Sequence, residues 1–279
     1  MLGSRYQVEQ FLFPLFFLFF LSLFFLHISN NKLDYYLQPK EIKLPDIKNK
    51  VKMAVLEFEK KGNIFIVTLN NPATGNAINP EALSAHREVL GELEAVSENS
   101  AVIVTSSDPK SWCVGLDFEW LKGQSAEDFA GTFRELEEVF GRWALLALPT
   151  VGCITGHCLA GGAIFASVLD FRLMRSDRGW FAFTEIDVKI PLSPILYEMA
   201  DLLPNKQAVR ELLLTGRRVG GADAQKLGVV DEAHLPEMLM PRALEIAEEL
   251  SQKDLKTYNA MKQLLKQNLS KQIAEESNA

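Results

Sequence analysis

From residue 53 onward this sequence predicts an α/β layered domain. Three observations carry the prediction. Short β-like apolar runs alternate with segments of helical period, and polar or glycine-bearing turns separate them. One long amphipathic stretch at 126–146 places Phe129, Phe133, Leu136, Val139, Phe140 and Trp143 at helical spacing. The chain has 279 residues, enough for one large core with appendages, and no internal repeat is visible.

The first 52 residues stand outside that pattern. Residues 11–28 read FLFPLFFLFFLSLFFLHI, with no Asp, Glu, Lys or Arg and eight of the chain's 18 Phe. This predicts an N-terminal hydrophobic helix about long enough to cross a bilayer. Pro14 lies near its start, where a spanning helix tolerates it. Residues 27–52, with Pro39 and Pro45, read as a linker. Three readings fit the segment. It is a membrane anchor, giving membrane contact through residues 11–28; or the start is miscalled and Met53 is the initiator; or it is a cleaved signal. The last is the weakest, because Arg5 is nearly the whole basic flank, Glu9 offsets it, and no small-residue cleavage site follows.

From Met53 the elements follow in order. Two β-like runs at 55–59 and 64–69 are joined by Lys61-Gly62-Asn63, a hairpin signal. After the loop 70–79, Pro80 opens a helix to about 97, an early position that suits proline. Residues 101–105 read as a short buried strand and 106–115 as a polar loop. The long helix at 126–146 comes next, then a strand at 150–154, a glycine turn, a small-residue helix, and strands at 171–174 and 180–183. Past Pro191 the pattern is helical: 193–203, 206–214, 222–227, 238–251 and 255–269.

Charge narrows the function classes. Residues 1–52 carry seven Lys/Arg and four Asp/Glu, leaving 22 and 32 for the remainder, a body of net −10. No basic cluster is present of the kind that phosphate-backbone binding needs, so nucleic acid is excluded as a partner. The three cysteines, Cys113, Cys153 and Cys158, form no disulfide framework or zinc spacing, and no two of the four His are spaced as metal ligands. No metal is expected.

The most informative stretch is 156–170, GHCLAGGAIFASVLD. A strand, a glycine turn and a helix in succession aim free N–H groups outward at the positive end of the helix. Such donors hold a developing negative charge without a side chain.

Three motifs now agree in order. They are Asn76-Ala77-Ile78-Asn79 ahead of a helix; Ser111-Trp112-Cys113-Val114-Gly115-Leu116-Asp117; and Thr155-Gly156-His157-Cys158-Leu159-Ala160-Gly161-Gly162, followed by Asp170-Phe171-Arg172. Together they resemble the crotonase family, the enoyl-CoA hydratase/isomerase superfamily, from about residue 53 to about 269. The resemblance implies a crotonase-like ββα spiral core with a C-terminal helical region at 53–279, behind a tail and linker at 1–52. It implies an acyl-CoA thioester substrate, no cofactor beyond the CoA that is part of that substrate, and a homotrimer or hexamer.

It also implies site residues. The backbone N–H groups of Leu116 and Gly161 are the oxyanion hole for the thioester oxygen, while Ala77, Cys113, Val114, Gly115 and Asp117 lie at the substrate. Asp117 reads as the cap of the following short helix or an anchor of the loop rather than as a reacting group. Hydratases of the family use two glutamates to activate water. One of those positions is Ile164 here, which neither orients water nor exchanges a proton. The other is Glu185, in Phe183-Thr184-Glu185-Ile186. A lone carboxyl among Phe181, Phe183 and Ile186 has a raised pKa and suits proton transfer. The pattern is that of Δ3,Δ2-enoyl-CoA isomerases, with Glu185 moving a proton from C2 to C4 in fatty acid oxidation. Two alternatives stay open: an enoyl-CoA hydratase or other CoA-ester lyase, and a non-catalytic, membrane-tethered acyl-CoA-binding protein.

His157 and Cys158 are neighbours in an extended turn and point to opposite sides, so they form no nucleophile pair. Lys110, Lys122, Lys262 and Lys266 read first as solvated charges, with contact to the phosphates of CoA as the alternative. The sequence ends Glu-Ser-Asn-Ala279, not a peroxisomal Ser-Lys-Leu address, so the cytosol, mitochondrion and peroxisome remain open.

Overall fold

The computed structural model describes residues 49–277. The hydrophobic helix expected at 11–28 lies outside the described residues. Among them, no helix is long and apolar enough to cross a membrane.

A seven-stranded sheet carries the fold. Its order is β1 (Asn49–Lys52), β2 (Leu56–Lys61), β3 (Ile64–Leu69), β4 (Ala101–Ser106), β6 (Thr150–Ile154), β8 (Phe171–Arg175) and β10 (Glu232–His234). The first three strands pair antiparallel, and every later pairing is parallel. Residues 49–52, read from sequence as linker, therefore form an edge strand. β4 is buried along its whole length, which is why it reads as a near-continuous apolar run: a strand covered on both faces has no polar side to alternate.

Alternate residues of β3 and β4 serve the two faces. Phe65, Val67, Val102 and Val104 pack under α1 (Pro80–Glu94), α3 (Ala126–Leu145) and α4 (Gly161–Val168). Ile66 and Ile103 pack under α8 (Pro236–Leu250) through Leu239, Ala243 and Ala247. Each helix starts as its sequence suggests. Asn79 caps α1, with Pro80 at its first position, and Ser125 with Asp128 makes a capping box for α3.

Phe165 is the hub beneath α4. Its ring stacks on Trp112 at 5.3 Å and Phe140 at 5.0 Å, and meets Trp143 and His86 edge-on. His86 accepts from the Trp143 indole N–H, and burial lowers its pKa to about 4. A neutral imidazole is what an apolar core can hold. These contacts fix the depth and rotation of α4, the helix that presents Gly161.

The C-terminal region corrects the sequence reading twice. The helix expected at 255–269 is two helices, α9 (Leu255–Leu265) and α10 (Gln267–Ser277). Lys262 and Lys266 are not solvated. Both are buried, and their ammonium groups lie 2.7 Å from the two oxygens of Asp170. Lys262 also donates to the Leu148 carbonyl, and Lys266 to those of Ala144 and Val168. The lysines thus neutralise one buried carboxylate and satisfy carbonyls at the ends of α3 and α4. The flanking ammonium groups hold Asp170 down near 2, in spite of its burial.

Candidate active site

A second, small sheet builds the site: β5 (Ser111–Cys113), β7 (His157–Leu159) and β9 (Phe181–Ala182), all parallel. From sequence, β5 lay in a polar loop and β7 in the glycine turn. Each strand delivers one component, since Leu116 follows β5, Gly161 follows β7 and Glu185 follows β9.

The Leu116 turn is held from below by the Asn76 loop. Asn76 is buried with φ 58, and its side-chain amide donates to Ser106 Oγ and the carbonyls of Ser111 and Trp112. Ile78 N–H donates to the Gly115 carbonyl at 2.7 Å, and Asp117 N–H to the Ile78 carbonyl at 2.9 Å. Those two bonds use the Gly115 carbonyl and the Asp117 N–H, on either side of Leu116, and leave the Leu116 N–H without a backbone acceptor among the described residues. Gly115 has φ 86, and a Cβ there would fall 2.9 Å from the Gly161 nitrogen. Only glycine lets the two turns approach this closely.

On the other turn, Ala160 caps α4 with φ 49 and ψ −128, a region costly for a residue with a Cβ. Its N–H donates to the Ala182 carbonyl, and its own carbonyl accepts from Ala163 and Ile164. Gly161, first in the helix, has no backbone acceptor among the described residues. An ideal Cβ on Gly161 would lie 3.9 Å from the Leu116 nitrogen. Two free donors therefore stand side by side at the positive end of a buried helix.

Glu185 begins the turn after β9. Its Oε2 is buried and has no partner among the described residues. Burial raises its carboxyl to about 7. Phe181 and Phe183 are fully buried, as the expected apolar surround requires, but Ile186 is 47 % exposed and contributes no shelter. Ile164 is buried in the core.

The remaining expected residues divide. Gly115 lies against Gly161, and Val114 lines a cleft with Lys110, His157 and Leu159. Ala77 and Cys113 are buried beneath it, and burial pushes the Cys113 thiol up to about 12. Asp117 caps α2 (Phe118–Leu121), its Oδ1 accepting from Trp120 N–H at 3.0 Å. Cys158 is buried and His157 is not, so the two point apart along β7. The sequence reading missed Trp180 and Arg218, which share a cleft with Lys110 and His157. The Arg217-Arg218 doublet was its one visible sign.

Two turns with unpaired backbone N–H groups follow β5 and β7, and a buried carboxyl follows β9, the strand paired with β7; these are the parts that an enolate-stabilising site needs. The chain matches the enoyl-CoA hydratase/isomerase family over residues 59–279 and belongs to it. It is 28 % identical over 184 residues to the peroxisomal enoyl-CoA delta isomerase 2 of Arabidopsis thaliana, covering 63 % of this chain and 75 % of the relative. It is 29 % identical over 195 residues to the short-chain-enoyl-CoA hydratase of Clostridium acetobutylicum, covering 69 % and 74 %. Its fold is similar to that of a probable enoyl-CoA hydratase of Mycobacterium tuberculosis, with TM-score 0.71, 20 % identity and coverage of 77 % and 89 %. Enzymes of this family act on CoA thioesters and need no added cofactor. Among the described residues no His, Cys, Asp and Glu groups are placed to hold a metal ion.

Proposed function

We propose that this protein is an enoyl-CoA delta isomerase that converts 3-enoyl-CoA to 2-trans-enoyl-CoA in fatty acid oxidation. The observation that carries the reading is a buried carboxyl, Glu185, with Oε2 unpartnered and its pKa raised by burial to about 7, together with a buried Ile164 where the family resemblance implies a second carboxylate. Ionised Glu185 removes a proton from C2, and charge moves onto the thioester oxygen. The N–H groups of Leu116 and Gly161 stabilise that oxygen more as an enolate than as a carbonyl, which is what lowers a barrier. The protonated carboxyl then returns its proton at C4. Val114 and Gly115 line the approach, and Asp117, Ala77 and Cys113 hold the turn in place. Assembly as a homotrimer or hexamer, and membrane contact through residues 11–28, belong to this proposal.

A single shuttling carboxyl has a signature. Isomerisation in D2O should leave a substantial share of C4 positions carrying protium transferred from C2, because the proton stays on Glu185 between steps. Complete deuteration at C4, at low conversion, would count against one sheltered base. The rival reading is water addition, supported by the likeness to the Clostridium hydratase; Ile164 weighs against it.

A further inference from the structure

The Glu185 carboxyl meets only its own backbone N–H, and its Oε2 has no partner among the described residues. The turn that carries it therefore sets where the carboxyl stands. That turn runs from β9 to α5 (Pro194–Ala200). The Ile190 N–H donates to the Glu185 carbonyl at 3.0 Å and closes it. Lys189 has φ 61, a left-handed conformation that costs a lysine free energy. A strained turn keeps its shape only while both ends are fixed.

The first end is fixed by backbone: β9 pairs with β7, and Phe181 exchanges two hydrogen bonds with Val219. The second end is Ser193. Its Oγ caps α5 by accepting from the Leu196 N–H, and donates to Glu137 Oε1 of α3 at 2.5 Å. Leu192 packs on the core beside it. In between, Asp187 reaches Arg218, beyond α6 (Lys206–Thr215), at 3.8 Å with both side chains about half exposed. Solvent leaves that pair weak.

Glu137 is half-buried, and the groups acting on it are Ser193, Glu276 of α10 and Arg134 of α3. Burial, with the like charge of Glu276, outweighs Ser193 and Arg134 and raises its pKa. The folded state thus binds this proton more tightly than the unfolded chain does, and stability falls as pH rises through its range. The ionised carboxylate is kept at a cost, and its hydrogen bond goes to the cap of the helix that ends the Glu185 turn. A locally unfavourable group held in this way is the mark of a functional constraint.

We propose that Glu137 is a positioning residue for Glu185: through Ser193 it clamps the far end of the strained turn and keeps the carboxyl in its sheltered place. Without the clamp Lys189 relaxes, the Ile190–Glu185 bond moves with it, and water reaches the carboxyl. The inference rests on the reading of Glu185 as the base, yet the clamp has a readout that needs no turnover.

That readout is the titration of Glu185 in the full chain, followed as the carboxyl infrared band that Glu185→Gln removes. The native midpoint is near 7. In Glu137→Ala it should fall to about 6 or below, toward the ordinary glutamate range, because burial is what raises it. kcat for 3-enoyl-CoA should fall about tenfold, the worth of one charge-assisted hydrogen bond. KM should change little, and the rise of kcat/KM with pH should move down with the midpoint. Glu137→Gln keeps an acceptor oxygen and should restore most of kcat and the native midpoint. Ser193→Gly keeps a serviceable cap and loses the hydroxyl. It should match Glu137→Ala, and the double variant should be no worse than either. If Glu137→Ala does not fold, the midpoint in Ser193→Gly decides alone. An unmoved midpoint, or a Glu137→Gln as damaged as Glu137→Ala, overturns the proposal and leaves Glu137 a structural residue. A midpoint that moves while Glu185→Gln keeps native turnover sinks the isomerase reading and leaves the clamp standing.

Discussion

Replacing Glu185 with Gln should lower kcat for 3-enoyl-CoA isomerisation by about 10²–10⁴, the usual contribution of a positioned general base. The amide keeps the shape and loses only the exchangeable proton, so KM should move far less. In the native enzyme the base must be ionised, and its carboxyl titrates near 7. kcat/KM should therefore rise with pH and level off above about 7, with the value at pH 5 roughly a hundredfold below the plateau. Stability carries a second sign. The folded pKa lies above the model value of 4.5, so the folded state binds the extra proton and stability falls as pH rises from about 4.5 through 7. At about 1.4 kcal/mol per unit the ionised carboxylate costs close to 3 kcal/mol, nearer 2 after allowing for partial exposure. Glu185→Gln should thus be more stable than the native protein at pH 8 and about equal to it at pH 4, as thermal melts at both pH values will show. An unchanged kcat, or a variant no more stable at pH 8, contradicts the role of the buried carboxyl.

Gly162→Ala should be the most damaging single-methyl change at the site. A Cβ there would sit 2.2 Å from the Cys113 carbonyl oxygen and 2.8 Å from its carbon, both backbone atoms that cannot swing aside. Relief requires α4 to lift from β5, which separates Gly161 from Leu116. The expected cost is about 3 kcal/mol or more in stability, and a folded fraction with kcat down by about 10²–10³, the loss typical of one oxyanion donor. Gly161→Ala is the control. Its Cβ meets nothing closer than 3.5 Å, so denaturant melts should stay near native, while the methyl, 3.9 Å from the Leu116 nitrogen, crowds the position of the thioester oxygen and should lower activity. Equal loss of stability from the two changes would mean that the turn is merely intolerant of side chains.

The segments that carry the candidate site were legible in the sequence, and the reasons are local. Gly161 and Leu116 each follow a short strand in a motif whose glycines are demanded by backbone approach, and Glu185 follows the short strand β9. The long helices announced themselves by period and caps. Two strands of the small sheet, β5 and β7, did not, because three residues are too few to show alternation, whereas β9 falls inside the strand expected at 180–183. β1 was hidden in the polar run NKVK, whose pairing with β2 no hydropathy reveals. Lys262 and Lys266, four apart on a helix, looked like an exposed charged face. Only the position of Asp170 beneath them makes their burial sensible, and that is a contact across more than ninety residues. The break between α9 and α10 has no Gly or Pro to mark it.

The division between moving a proton and adding water is the central claim, and product analysis tests it most directly. The purified protein, given 3-enoyl-CoA and separately 2-trans-enoyl-CoA, should convert the first to 2-trans-enoyl-CoA and leave the second without 3-hydroxyacyl-CoA. Formation of 3-hydroxyacyl-CoA from 2-trans-enoyl-CoA, at a kcat/KM matching or exceeding that for isomerisation, would contradict it.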